Sequence, residues 1–260
     1  MGDDFIEDFI KRQVGLHNRM ASYANENFDR LEYFGSIRNA SYPIYDGVIK
    51  PYEYFRSKLR IMWILKEPRD EERNGRYCGG GWQMFADCDD ADFNSKIASQ
   101  RSCKTIFRVA QISYAVENGI SNEEAMNLDS IAVGVLRHIA YVNIGKMPGP
   151  ETTAASRVKQ LYKFWKSFVL EQIHICQQEL IICAGSGIVD NLAPDLGIAT
   201  LSKPEKSYVG CSGAKPFIVD CYRWNNVPIV STAHPTVRAN MSDYFKCTLD
   251  ACNGALKGEW

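Results

Sequence analysis

Four short, continuous apolar runs separated by stretches of helical character constrain this chain more than any other feature. They are Leu59–Leu65, Ile139–Ile144, Glu179–Ala184 and Val227–Thr232. A strand that is apolar at nearly every position is buried on both faces, which is the pattern of a parallel sheet covered by helices on either side. Between the runs, Ile97–Val116, Asn122–Leu136 and Thr153–Cys176 read as helices. The second opens at Ser121 with Glu124 three residues on, a capping box. The third carries Leu161, Phe164, Trp165 and Phe168 on one side. Val189–Leu192 opens a short helix and Ser242–Leu256 is the last one. Pro216–Trp224 reads as an edge strand, Tyr42–Tyr54 as an irregular connector, and Arg69–Gly81 and Lys203–Lys215 as loops. Phe5, Ile6, Phe9, Ile10 and Val14 recur at helical spacing in the stretch that runs to about Arg38. The expectation is an α/β fold: a three-layer α/β/α sandwich with a central, mainly parallel, four-stranded sheet. It forms a single domain over residues 1–260, with 1–55 as an amino-terminal helical extension packed on it.

Composition excludes several classes. The chain has 260 residues, 45% of them hydrophobic and 23% charged, which argues against general disorder. Lys and Arg (30) balance Asp and Glu (31), so bulk charge does not drive polyanion binding, although a local basic face remains possible. No apolar run is long enough to span a bilayer. The acidic start, with no apolar signal region behind it, argues against secretion, and a cytoplasmic monomer is expected. Nine cysteines are an odd number and widely scattered, with no C-x-x-C pair and no Cys/His cluster at zinc spacing. They read as reduced thiols, so neither metal nor cofactor is expected. No G-x-G-x-x-G follows the first strand, which argues against a dinucleotide-binding module.

In open parallel sheets, ligands sit outside the carboxyl ends of the strands. Glu67-Pro68 follows the first strand here. Asn143, with Lys146 behind it, ends the second. Gly185-Ser186-Gly187 follows the third, and His234 follows the fourth. A carboxylate, a carboxamide, a glycine turn and an imidazole are therefore expected on one rim.

These residues resemble the uracil-DNA glycosylase superfamily. The resemblance lies in Leu65-Lys66-Glu67-Pro68, Tyr141-Val142-Asn143-Ile144-Gly145-Lys146, Ile181-Ile182-Cys183-Ala184-Gly185 and Thr232-Ala233-His234-Pro235-Thr236-Val237-Arg238. It spans roughly residues 59–245. It implies a monofunctional DNA glycosylase that flips a uracil or modified pyrimidine out of the stack and hydrolyses its N-glycosidic bond, leaving an abasic site. The implied catalytic residues are Glu67, Asn143 and His234. His234 would stabilise the negative charge on the departing base. Asn143 would read the pyrimidine edge. Glu67 would orient water and stabilise the oxocarbenium charge. Lys66, Pro68, Arg69, Tyr77 and Trp82 would line the substrate site, with Tyr77 or Trp82 stacking the base and Phe85 in the core. Lys146, Gly185, Ser186, Thr236, Val237 and Arg238 would contact DNA, double- or single-stranded, with Arg238 as the wedge that enters the duplex. A further set of loop cations, Arg73, Arg76, Lys203, Lys206 and Lys215, would surround them.

The departures from the family pattern bear on specificity. Leu65 stands where the family has glycine. Arg69 stands where the uracil enzymes carry a tyrosine that excludes a 5-methyl group. Together with the flexible Gly79–Gly81 loop, this points to a pyrimidine modified at the 5-position. Two other readings compete. One is a hydrolase triad of Ser186, Asp220 and His234, disfavoured because Ala184 and Ile188 break the G-x-S-x-G elbow. The other is a non-catalytic nucleic-acid-binding protein that keeps the fold, favoured if Glu67 points away from the pocket.

Overall fold

The computed structural model describes residues 2–27, 30, 39–40, 42–68, 72–73, 76–86, 97, 104–149, 154–198, 204–211, 216–237 and 239–259. The chain is an α/β protein built on a mixed sheet of seven strands. In chain order its elements are α1 (Asp3–Glu26), β1 (Asn39–Ala40), β2 (Gly47–Val48), α2 (Pro51–Arg56), β3 (Ile61–Leu65), β4 (Glu72–Arg73), β5 (Arg76–Gly79), α3 (Lys104–Asn118) and α4 (Asn122–Met126). A 3-10 helix (Ser130–His138) follows, then β6 (Ile139–Asn143), α5 (Ala155–Ile175), β7 (Leu180–Ala184), α6 (Ile188–Leu196), β8 (Lys206–Gly210), β9 (Phe217–Trp224), β10 (Val227–Thr232) and α7 (Met241–Lys257).

The four apolar runs are the strands β6, β3, β7 and β10, adjacent in that order and parallel. The expected sheet of four strands is nonetheless too small. β2 pairs antiparallel to β6 on one flank, and β9 and then β8 extend the other flank antiparallel. The edge on that side is therefore β8, inside the segment expected to be a loop, while β9 lies one strand further in. β8 shows the alternation of a half-exposed strand, with Ser207 and Val209 outward. Its Lys, Ser and Gly content hides that pattern in sequence. The expected loop at residues 69–81 holds β4 and β5, which form a small three-stranded sheet with β1.

Successive residues of the central strands feed two separate apolar clusters, as the period-2 alternation of a strand requires. Met62, Ile64, Ala140, Val142, Ile181 and Cys183 face α1, α2, α5 and α6. Ile61, Trp63, Ile139, Tyr141, Leu180 and Ile182 face α3, α4, the 3-10 helix and α7. On that second face the Trp63 indole N–H donates to the Ser113 hydroxyl at 2.8 Å, so a large ring is buried with its polar atom satisfied.

The amino-terminal stretch contributes to this core directly. α1 buries Ile6, Phe9, Leu16, Met20 and Ala24 in the first cluster, while Val14 points outward at 53% exposure. The helix expected over Asn122–Leu136 stops early, although its capping box forms as read: the Glu124 N–H donates to Ser121 Oγ at 3.2 Å. The Asn127 side chain donates back to the Glu123 carbonyl, and Asp129 caps the 3-10 helix by accepting from the Ile131 N–H. Two polar side chains competing for backbone groups end one helix and start another. Among the described residues, no helix is long and apolar enough to cross a membrane. Among them too, Cys176, Cys183, Cys211, Cys221, Cys247 and Cys252 are free thiols, and no group of three His, Cys, Asp or Glu side chains is arranged to hold a metal.

Candidate active site

A cavity of about 680 Å³ opens at the carboxyl ends of β3, β7 and β10. Lys66 and Glu67 supply one wall, Gly185, Ser186 and Gly187 the second, and His234, Thr236 and Val237 the third. Eight residues expected on the rim thus meet in one place. Asp190 of α6 and Ile218, Asp220 and Tyr222 of β9 also line it. The β9 contribution was hidden because that strand read as an edge.

Glycine geometry shapes two of these walls. Gly185 has φ +146°, a backbone open to residues without a side chain. A Cβ there would lie 3.2 Å from the Lys66 Cε, so the lysine stem crosses the turn where the glycine leaves room. The Gly185 N–H is held by the Thr232 carbonyl at 2.9 Å. On the other side, the Glu67 side chain packs against the loop after β6. A Cβ at Gly149 would overlap the Glu67 Cγ, and one at Gly145 would lie 2.9 Å from its Cβ. Pro68 is buried and serves the same junction, its carbonyl accepting the Gly149 N–H at 2.9 Å.

His234 is held in one tautomer. The Thr236 hydroxyl lies 2.8 Å from Nδ1, and the Thr236 backbone N–H donates to the same nitrogen at 3.3 Å. Nδ1 is therefore an acceptor, and the ring proton is carried by Nε2. Burial, reinforced by the positive charges of Lys66 and Arg108, lowers the imidazole pKa from 6.5 to about 4. The ring is a neutral donor at physiological pH. Arg108 of α3 also donates to the Pro235 carbonyl and pins the loop that carries His234. It stands in a helix remote from every motif, and nothing in the sequence marks it.

The lowered pKa has a sign that can be tested. Above pH 6.5 both folded and unfolded chains carry the neutral ring. Between pH 6.5 and about 4 only the unfolded chain takes up the proton, so this group's contribution to stability falls as the pH drops through that window. A reaction in this cavity that depends on the neutral donor should show no inflection near pH 6.5 and should decline only as the pH approaches 4. A pH–rate profile checks this, and a histidine-like step near 6.5 would contradict it.

Two expected rim residues lie elsewhere. Asn143 is 1% exposed and does not line the cavity, and Lys146 is 0% exposed. Both turn to Asp46, also buried. Lys146 Nζ donates to its two carboxylate oxygens at 2.8 and 3.0 Å and to Gln172 Oε1 at 2.6 Å. Lys146 thus presents no ammonium to a phosphate, which corrects the expectation. Burial pulls its pKa down from the ordinary lysine value, and the Asp46 charge opposes that pull. Asn143 donates to Asp46 Oδ2 from both its backbone N–H (2.6 Å) and its Nδ2 (3.1 Å).

Arg69 and Arg238 lie outside the described residues, as do Lys203 and Lys215, and so does the side chain of Tyr77. Trp82 is 36% exposed on the segment after β5, and Phe85 is buried against Tyr141. The alternative triad does not assemble among the described residues. Asp220 accepts from Ser207 at 2.5 Å, and the His234 nitrogen it would need is bonded to Thr236. No family model matches this chain, and no curated protein matches it.

Proposed function

We propose that the chain is a monofunctional DNA glycosylase of the uracil-DNA glycosylase type. On this reading its fold is a three-layer sandwich around the parallel strands β6, β3, β7 and β10, with the flanking strands added. It hydrolyses the N-glycosidic bond of a flipped-out uracil or 5-modified pyrimidine. The observation that carries this reading is a neutral His234, its Nε2 proton available, in a cavity that Glu67 also borders. Breaking the bond between the sugar C1′ and the base nitrogen sends the electron pair to the base and leaves positive charge on the sugar. A neutral donor stabilises the anionic base without a prior protonation step, as an oxyanion-hole donor does. Glu67 offsets the oxocarbenium charge and accepts a proton from the water that adds to C1′. Ser186, Thr236 and Lys66 are the polar and cationic groups at the cavity suited to flanking phosphates. Lys146 drops out of that set.

The catalytic reading is preferred over a binding protein that has lost activity because His234 and Glu67 border one cavity, with the Glu67 side chain packed toward Gly149. The test is incubation with oligonucleotides carrying a single uracil or 5-substituted pyrimidine, in duplex and single-stranded form, followed by alkali. Strand breaks at the modified position are the expected result. Binding without breaks would replace this proposal with the non-catalytic reading.

A further inference from the structure

The cavity is longer than release of a plain base requires. Lys66 and Glu67 follow β3 and His234 follows β10, yet the lining continues past β10 onto β9. Adjacent strands lie about 4.8 Å apart, so β3 and β9, with β7 and β10 between them, are separated by about 14 Å. A volume of about 680 Å³ is that of a pocket for a drug-sized ligand, and one pyrimidine ring fills a small part of it.

The β9 end of the cavity has an apolar part and an anionic part. Ile218, Asp220 and Tyr222 alternate along the strand and so project from one face of the sheet. Val189 and Asp190, from the first turn of α6, line the same cavity. Ile218 is 50% exposed there. Asp220 Oδ1 accepts from the Ser207 hydroxyl at 2.5 Å, and among the described residues neither Asp220 nor Asp190 is in an ion pair. Burial raises the pKa of the Tyr222 phenol, and the charges of Asp220 and Asp190 raise it further, so both carboxylates act on one ring. Among the described residues that line the cavity, Lys66 is the only cation, and it belongs to the β3 wall.

Two carboxylates without a counter-ion repel a phosphate, so this end turns the DNA backbone away. It suits a part of the substrate that carries positive charge. Apolar surface beside an anionic acceptor matches an alkyl stem with a charged head, as a lysine side chain lays its methylenes on apolar surface and keeps its ammonium in a polar setting. We propose that the β9 end of the cavity is a subsite for a pyrimidine 5-substituent with an apolar stem and a terminal ammonium group. The inference rests on the glycosylase reading and names the class of base that this reading leaves open.

The test compares single-turnover release of 5-aminoallyluracil and 5-butenyluracil, in which a methyl replaces the ammonium, with plain uracil as the control, all in otherwise identical oligonucleotides. Wild type should release the amine about 10-fold faster than its neutral counterpart, the range of a hydrogen bond to a charged group. Asp190→Asn/Asp220→Asn should bring the two to within about twofold. Thermal unfolding verifies that this variant is folded. Asp190 is exposed, so Asp190→Asn alone tests the charge without a folding lesion and should give an intermediate ratio. Equal release of the two 5-substituted bases by wild type, or a preference that survives in both variants, would overturn the subsite while uracil release keeps the glycosylase reading intact. If wild type releases no base at all, the glycosylase reading fails and takes this inference with it.

Discussion

His234→Ala is expected to slow base release by about 100- to 1,000-fold, the usual loss when one preorganised donor to a developing anion is removed. The same change should cost no more than about 1 kcal/mol of stability, because the half-buried ring lies outside both apolar clusters and gives up mainly its contacts with Thr236. The loop beside it keeps other anchors. Arg108 still holds the Pro235 carbonyl, and the Val237 N–H still bonds to the carbonyl of residue 234 at 2.8 Å. His234→Asn, which restores a donor of shorter reach, should recover part of the rate. Single-turnover kinetics beside a thermal melt separate the two effects. A variant with wild-type release would remove His234 from the reaction.

How much of this was legible in the sequence depended on the distance over which each signal acts. The four parallel strands were legible because burial on both faces leaves a continuous apolar run in a single segment. The capping box at Ser121 was legible because its two partners are three residues apart. β2 and β8 were not. One has two residues, and the other alternates across a half-exposed face with lysine, serine and glycine in it. At the site, the strand-end rule located Glu67, Gly185–Gly187 and His234, since topology alone brings the carboxyl ends of parallel strands together. It misplaced Lys146 for a related reason. Lysine three residues after Asn143 reads as a rim cation until its counter-ion is known, and that counter-ion lies 100 residues upstream in a segment that reads as an irregular connector. Arg108 illustrates the same limit. Its contact with the His234 loop spans 127 residues, and no periodicity in α3 distinguishes it from a solvated arginine.

Lys146→Ala should therefore behave as a core lesion and not as a lost DNA contact. Removing the ammonium strands the Asp46 carboxylate in the interior and leaves Gln172 Oε1 without the lysine donor at 2.6 Å. Breaking a buried pair from one side costs about 3–5 kcal/mol. That is a large share of the roughly 5–15 kcal/mol that holds a typical domain folded. Urea unfolding should show it as a lower midpoint at similar slope. The charge-balanced pair Asp46→Asn/Lys146→Met should lose less than Lys146→Ala, because no lone charge stays behind. DNA binding supplies the independent check. A lysine bound to a phosphate contributes about one unit to the slope of log affinity against log salt, and its removal lowers the slope by that amount. For the folded double variant the slope should match wild type. A slope smaller by about one, with stability unchanged, would return Lys146 to the DNA-binding surface and contradict the buried pair.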